Sequence, residues 1–278
     1  MVRSLFCGFR PGQNRVAVFV SYSDESETGN RSDFLVSGYV AAETLWEFVA
    51  KAWQERVLDG KPPIPYLHMN EIRDDEWRAT KGKGISRPEA ENRIDEAVTI
   101  LSATGGLSIA SSVIKRSDLE SAIHSRFTRK KDITEALAHP DYFCFHAYCN
   151  WVLGIVRHRF PEVEKVNFVL SNKKKITHHL VIDFQDEIRN LVEPELRGLM
   201  GSIIPGDMEL YLPLQAADVI CWYQQRDRAL KLDGVDKRHF AKLRTTWGHT
   251  HNWELAKLEG IAARLNLIEA PGHSVHPE

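Results

Sequence analysis

Val16–Glu27, VAVFVSYSDESE, constrains the fold more than any other stretch of the chain. Val16, Val18, Phe19, Val20 and Tyr22 form a β-branched and aromatic run with the composition of a buried strand. Asp24, Glu25, Ser26 and Glu27 end it, and Thr28-Gly29-Asn30 is a turn signal. Such a strand end is either a solvated acidic turn or a rigid support for a metal-binding or catalytic acid.

The residues after this strand narrow the architecture. Asp33–Ala42 (DFLVSGYVAA) reads as a second strand, and the short link before it suggests a hairpin. Gly38 suits a close backbone approach within that pair. Thr44 is a candidate N-cap for a helix in which Leu45, Phe48, Val49, Ala52, Trp53 and Val57 recur at helical spacing, up to Asp59-Gly60. A strand pair followed by an amphipathic helix begins an α/β or α+β domain. Helices are predicted from Ile94 to Leu101, from Tyr142 to Val156 behind a capping Asp141, from Leu180 to Leu191, from Leu214 to Leu230 and from Leu255 to Leu265. Strands are predicted at Leu107–Ile114 and Val166–Leu170, with a weaker one at Met208–Leu212. The polar stretch 73–93 reads as an exposed connection or flap. Together these give one mixed domain over 1–278, with insertions at about 73–93 and 115–160 and a helical C-terminal extension over about 231–278.

Composition excludes several function classes. A net charge of −2 rules out a uniformly basic nucleic-acid coat while leaving room for a local basic groove. The four cysteines form no CxxC pair, which argues for reduced thiols in a cytosol. No stretch resembles a signal peptide or reaches the ~18 consecutive apolar residues of a membrane span. The expectation is a cytoplasmic protein with no membrane partner.

Three acids stand where elements end or begin: Asp24, Glu71 and Asp218. Asp218 lies in Leu214-Gln215-Ala216-Ala217-Asp218, a small and apolar helix start. An unpaired buried carboxylate there is costly, so it needs a partner or a purpose. Gln215, three residues earlier, shares its helix face. His68 and Glu71 are also three apart, so in a helical turn imidazole and carboxylate project together. Lys173-Lys174-Lys175 directly follows the Val166–Leu170 strand. A charge run is more often a solvated face than a phosphate contact. His179 with Asp183 has zinc-site spacing, but a surface turn explains it better, and a polar loop explains His249 and His251. Trp222 lies on the Asp218 side of its helix and could stack on a nucleotide, although core packing is the simpler account.

Asp24-Glu25-Ser26, FLVSGYV, a Trp-containing helix, Leu67-His68 with Glu71, and Leu214–Asp218 together resemble the family catalogued as domain of unknown function 3800. The likeness runs from about residue 16 to 230 and rests on an early DE pair and a late QxxD in order. It implies an α/β, ribonuclease H-like mixed sheet flanked by helices, with helical insertions. The first strand of such a sheet bears one catalytic Asp and its last helix another. A further acid commonly follows the fourth strand, where this chain has Ser171-Asn172, a departure from the pattern.

Hydrolysing a phosphodiester requires charge neutralisation on the phosphoryl oxygens and an activated water, and carboxylates holding Mg²⁺ or Mn²⁺ supply both. The expected function is a divalent-metal-dependent nuclease or phosphodiesterase with nucleic acid as partner. Asp24 and Asp218 would bind the metal, with Glu71 and Glu25 completing the set. His68 would transfer a proton or contact phosphate, Gln215 would orient Asp218 or the attacking water, and Asn172, Lys173 and Lys174 would meet substrate. Asn172 motivates one alternative, a non-catalytic nucleic-acid-binding or assembly protein. The modest basic content motivates another, a hydrolase of a small phosphorylated metabolite.

Overall fold

The computed structural model describes residues 17–27, 32–124, 139–171 and 185–264. The apolar run at the start becomes β1 (Ala17–Glu27), which pairs antiparallel with β2 (Asp33–Ala42). β2 pairs antiparallel with β3 (Ser108–Lys115). On its other side β1 pairs parallel with β4 (Val163–Ser171), and β4 pairs parallel with β5 (Met200–Gly206). A short β6 (Gly248–Asn252) runs parallel to β3 and completes the order β5-β4-β1-β2-β3-β6. An antiparallel β1-β2-β3 unit extended in parallel by β4 and β5, with helices on both faces, is a ribonuclease H-like α/β fold.

Alternation along β1 sorts its side chains between the two faces. Phe19 belongs to the core beneath α6 (Pro140–Arg159), the long helix that packs on β2 and β3. Ser21 faces the same way, its hydroxyl 2.6 Å from the Tyr148 hydroxyl of α6. Val20 and Tyr22 belong to the opposite core, formed with α1 (Glu43–Trp53), α4 (Arg87–Ala103) and α8 (Leu212–Arg228). Three shorter helices, α2 (Met69–Ile72), α3 (Asp75–Ala79) and α5 (Arg116–Leu119), lie between α1 and α6 in the chain. After β4 come α7 (Gln185–Leu191) and, beyond α8, α9 (Gly234–Leu243) and α10 (Leu255–Arg264).

Gly38 sits opposite Ser23, where β2 comes closest to β1. A Cβ at this position would lie 1.9 Å from the Tyr22 carbonyl oxygen and 2.8 Å from the Ser23 Cα. The close approach expected from the sequence is therefore a steric requirement at the residue pair that precedes Asp24.

Several elements differ from the sequence reading. Met208–Leu212 is the turn into α8 and the start of that helix, and the strand lies earlier, at Met200–Gly206. The stretch 73–93 is largely exposed, as expected, but α3 and the start of α4 occupy it and Trp77, Arg78, Ile85 and Arg93 anchor it in the interior. His249 and His251 lie in β6, so the expected helical extension contributes a strand to the sheet. His139, not Asp141, caps α6, its ring nitrogen accepting from the Asp141 N–H. Among the described residues no helix is long and apolar enough to cross a membrane.

Candidate active site

The alternation that points Val20 and Tyr22 toward α8 continues to Asp24, which is buried on that face. The carbonyl oxygen of Asp24 accepts from the Cys221 thiol of α8 at 3.5 Å. α8 begins with Pro213 in its first turn and is buried without interruption from Pro213 to Tyr223. Asp218, only 4% exposed, is therefore a carboxylate inside an apolar helix, brought against Asp24 by the packing of α8 across β1.

Burial pushes the Asp218 carboxyl well above the usual carboxylate range, and the adjacent Asp24, which also hydrogen-bonds to it, pushes it further. The Met69 N–H opposes this by donating to Asp218 Oδ2 at 2.7 Å. Two carboxylates packed together in a dry setting repel one another when both are ionised, and a proton or a cation relieves that repulsion.

The segment ahead of α2 brings the remaining groups. His68 Nε2 stands 3.6 Å from Asp218 Oδ1, and His68 Nδ1 stands 3.7 Å from Glu71 Oε2. These are ion-pair rather than hydrogen-bond distances, so the imidazole bridges two acids without being locked to either. Glu71 Oε2 is buried and has no hydrogen-bond partner among the described residues. Tyr66 is held from the other side by the Trp77 indole N–H at 3.3 Å. Burial and the neighbouring Glu71 raise its hydroxyl pKa.

Gln215 has three hydrogen bonds to other elements. Its Oε1 accepts from the Trp53 indole N–H at 2.9 Å and from the Leu67 N–H at 3.0 Å, while its Nε2 donates to the Met208 carbonyl at 2.8 Å. Its side chain is fully buried, and the partners named here are in α1, the His68 segment and the turn into α8. It fastens α1, the segment carrying His68 and the turn into α8 to one another. Gln215→Leu is expected to cost about 2–4 kcal/mol in urea denaturation, since two donors and one acceptor lose their partner inside the core.

Asp24, Asp218, His68 and Glu71 thus come together, and Glu25 does not. By strand alternation Glu25 lies on the opposite face of β1 from Asp24, so it cannot complete the same ligand set. Asn172, Lys173 and Lys174 lie outside the described residues, as do Lys175, His179 and Asp183. β4 places Leu170 opposite Ser23, so the chain leaves that strand beside Asp24.

The donor set can be tested against an Mg²⁺- or Mn²⁺-type ion. Such an ion takes one or two protein carboxylates and keeps several waters. Asp24 and Asp218 are such a pair, and the repulsion between them is what a cation would relieve. The orphaned Glu71 oxygen stands nearby as a further acceptor. Among the described residues no group of three or more His, Cys, Asp or Glu side chains is arranged to hold an ion. Two carboxylates, Asp24 and Asp218, are what the described residues would offer such an ion.

The sequence reading did not single out Asn70, Arg73 or Arg226. The Trp222 indole N–H donates to Asn70 Oδ1 at 3.0 Å. The Arg73 and Arg226 guanidinium carbons stand 4.5 and 4.7 Å from the centroid of the Trp222 ring. Trp222 is buried, as the core-packing account expected. The available signal was spacing, since Trp222 and Arg226 follow Asp218 at four-residue steps along one helix face.

No family model matches the chain and no curated protein matches it, so the comparisons neither support nor contradict the resemblance drawn from its motifs.

Proposed function

We propose that the protein is a divalent-metal-dependent hydrolase of phosphodiester bonds in nucleic acid. The observation that carries this reading is the buried Asp24–Asp218 pair, two acids from different elements held against each other where only a proton or a cation can balance them. Carboxylates on a rigid strand and helix are what an open Mg²⁺ or Mn²⁺ site uses. Asp24 and Asp218 would hold the ion, with Glu71 beside them. When bound, the ion neutralises charge on the phosphoryl oxygens and lowers the pKa of an attacking water.

The protein's own groups do the remaining work. The Met69 N–H fixes the orientation of the Asp218 carboxylate. His68, half-buried between Asp218 and Glu71, is placed to carry a proton to or from the reacting oxygens. Burial of both aspartates keeps bulk water from screening the site.

The test is cleavage of a panel of single-stranded RNA, single-stranded DNA and RNA–DNA hybrid in Mg²⁺ or Mn²⁺. Wild-type protein is expected to cut at least one of these, and Asp24→Asn to lose about 10³-fold or more, since several kcal/mol of charge stabilisation goes with the ligand. The reading is lost if wild type cuts none of them, or if Asp24→Asn cuts as well as wild type.

A further inference from the structure

α8 carries a row of side chains beyond the acid pair that the hydrolytic chemistry does not use. Gln215, Asp218, Trp222 and Arg226 recur at three- and four-residue steps and share one face. That face reads the 67–73 segment in register. Gln215 meets the Leu67 N–H, Asp218 the Met69 N–H, and Trp222 both Asn70 and Arg73. At the outer end of the row stand Asn70, which is exposed, and Arg226, which is half-buried.

The Asn70 amide can be oriented from chemistry alone. An indole N–H is only a donor, so the Asn70 atom 3.0 Å from Trp222 Nε1 must be the carbonyl oxygen. The Asn70 NH₂ group is therefore the part left over, on a residue that is exposed. Arg73 is committed, since Asp236 accepts from it at 2.7 Å and Glu91 stands 3.7 Å away. Arg226 is not. Among the described residues its side chain makes no ion pair, and the one hydrogen bond from its terminal nitrogens is a long 3.4 Å contact from Nη2 to the Lys231 carbonyl. Asp233 feels the Arg226 charge but accepts instead from the Val235 and Asp236 N–H groups. A guanidinium with no ion-pair partner at contact distance, placed over a buried indole at 4.7 Å, is pre-organised for an anion.

Arg226 lies eight residues after Asp218, which at 1.5 Å per residue is about 12 Å along the helix. A stacked nucleic-acid strand advances ~3.4 Å per nucleotide, so the row spans about three to four nucleotides. We infer that Asn70 and Arg226 track the sugar–phosphate backbone of a strand leaving the acid pair, so that the substrate is a polynucleotide of four or more nucleotides rather than a small phosphodiester. The inference rests on the proposed hydrolytic role of Asp24 and Asp218 for the position of the reacting bond.

Binding, measured separately from cleavage, tests it. Fluorescence anisotropy with a labelled 12-nucleotide single strand, in EDTA so that nothing is cut, gives the affinity and its salt dependence. Wild type is expected to bind the 12-mer at least about tenfold more tightly than a dinucleotide. Arg226→Ala should weaken 12-mer binding about tenfold and reduce the slope of log affinity against log salt by about 0.7, the contribution of one phosphate contact on a single strand. Arg226→Lys should keep the slope. Asn70→Asp retains the acceptor for Trp222 and replaces the outward donor with a negative charge, so a folded protein with weakened binding is expected. Thermal melts establish that each variant is folded. The inference is overturned if Arg226→Ala and Asn70→Asp, both folded, leave affinity and salt slope at wild-type values, or if the 12-mer binds no tighter than the dinucleotide. Cleavage by wild type in Mn²⁺ reports on the acid pair independently, so failure of one reading does not pass for failure of the other.

Discussion

Asp218→Asn is expected to raise the melting temperature of the metal-free protein at neutral pH while lowering hydrolysis by about 10³-fold or more. The substitution keeps the acceptor that Met69 N–H uses at 2.7 Å and gives Asp24 a neutral donor. It also removes the burial cost that raises the Asp218 carboxyl, the larger cause, and the repulsion from Asp24, the next. The pH dependence follows from the direction of that shift. Below the ordinary carboxylate range Asp218 is protonated both folded and unfolded, and its stabilising contribution is fully present. As pH rises, the unfolded chain loses the proton first, so stability falls until pH passes the raised value of the folded state.

Wild-type protein in EDTA should therefore lose stability relative to Asp218→Asn as pH rises above the ordinary carboxylate range. A difference of about 1 kcal/mol or more at neutral pH corresponds to ~2–4 °C in Tm for a chain near this size. Added Mg²⁺ or Mn²⁺ should recover wild type and not the variant, because a ligand bound only by the folded state stabilises it by mass action. Calorimetric melts over pH, with and without metal, decide the matter. A variant that melts at or below wild type throughout would show that the carboxylate is held as a stabilising structural acid.

Gly38→Ala is expected to be the most destabilising single-methyl change in the sheet, at about 3 kcal/mol or more. The added Cβ would stand 1.9 Å from the Tyr22 carbonyl oxygen and 2.8 Å from the Ser23 Cα, both backbone atoms that cannot turn aside. Relief requires β1 to move from β2, and Asp24 is the next residue on β1, so activity should fall with stability. Gly105→Ala is the matched control. Nothing lies within 4 Å of its would-be Cβ, and the change should stay within ~0.5 kcal/mol of wild type. Urea denaturation of the two variants side by side is the measurement. Equal midpoints would remove the steric account of Gly38.

The parts of the fold legible in the sequence are those where burial imposes a period. β1, β2 and β3 announce themselves by β-branched and aromatic runs, and α1 and α8 by apolar residues at helical steps. The two outer strands escape because their sequences lack that pattern. β5 is MGSIIPG, with two glycines and a proline that sit well only at an edge, and β6 is the polar GHTHN. Polarity of 73–93 likewise conceals Trp77 and Ile85, two anchors within an otherwise charged stretch.

At the site, local sequence settles which acids stand at the ends of rigid elements and which face each takes. β-strand alternation puts Glu25 opposite Asp24, and helix spacing puts Gln215, Asp218, Trp222 and Arg226 on one side of α8. Packing settles who meets whom. It sets Asp24 against Asp218, lays His68 between Asp218 and Glu71, and uses Gln215 as a staple. The physical reason is range. Periodicity reports a residue's nearest neighbours along the chain, whereas the protonation and partners of a buried carboxylate depend on charges and donors that only the packing of α8 across β1 brings within reach.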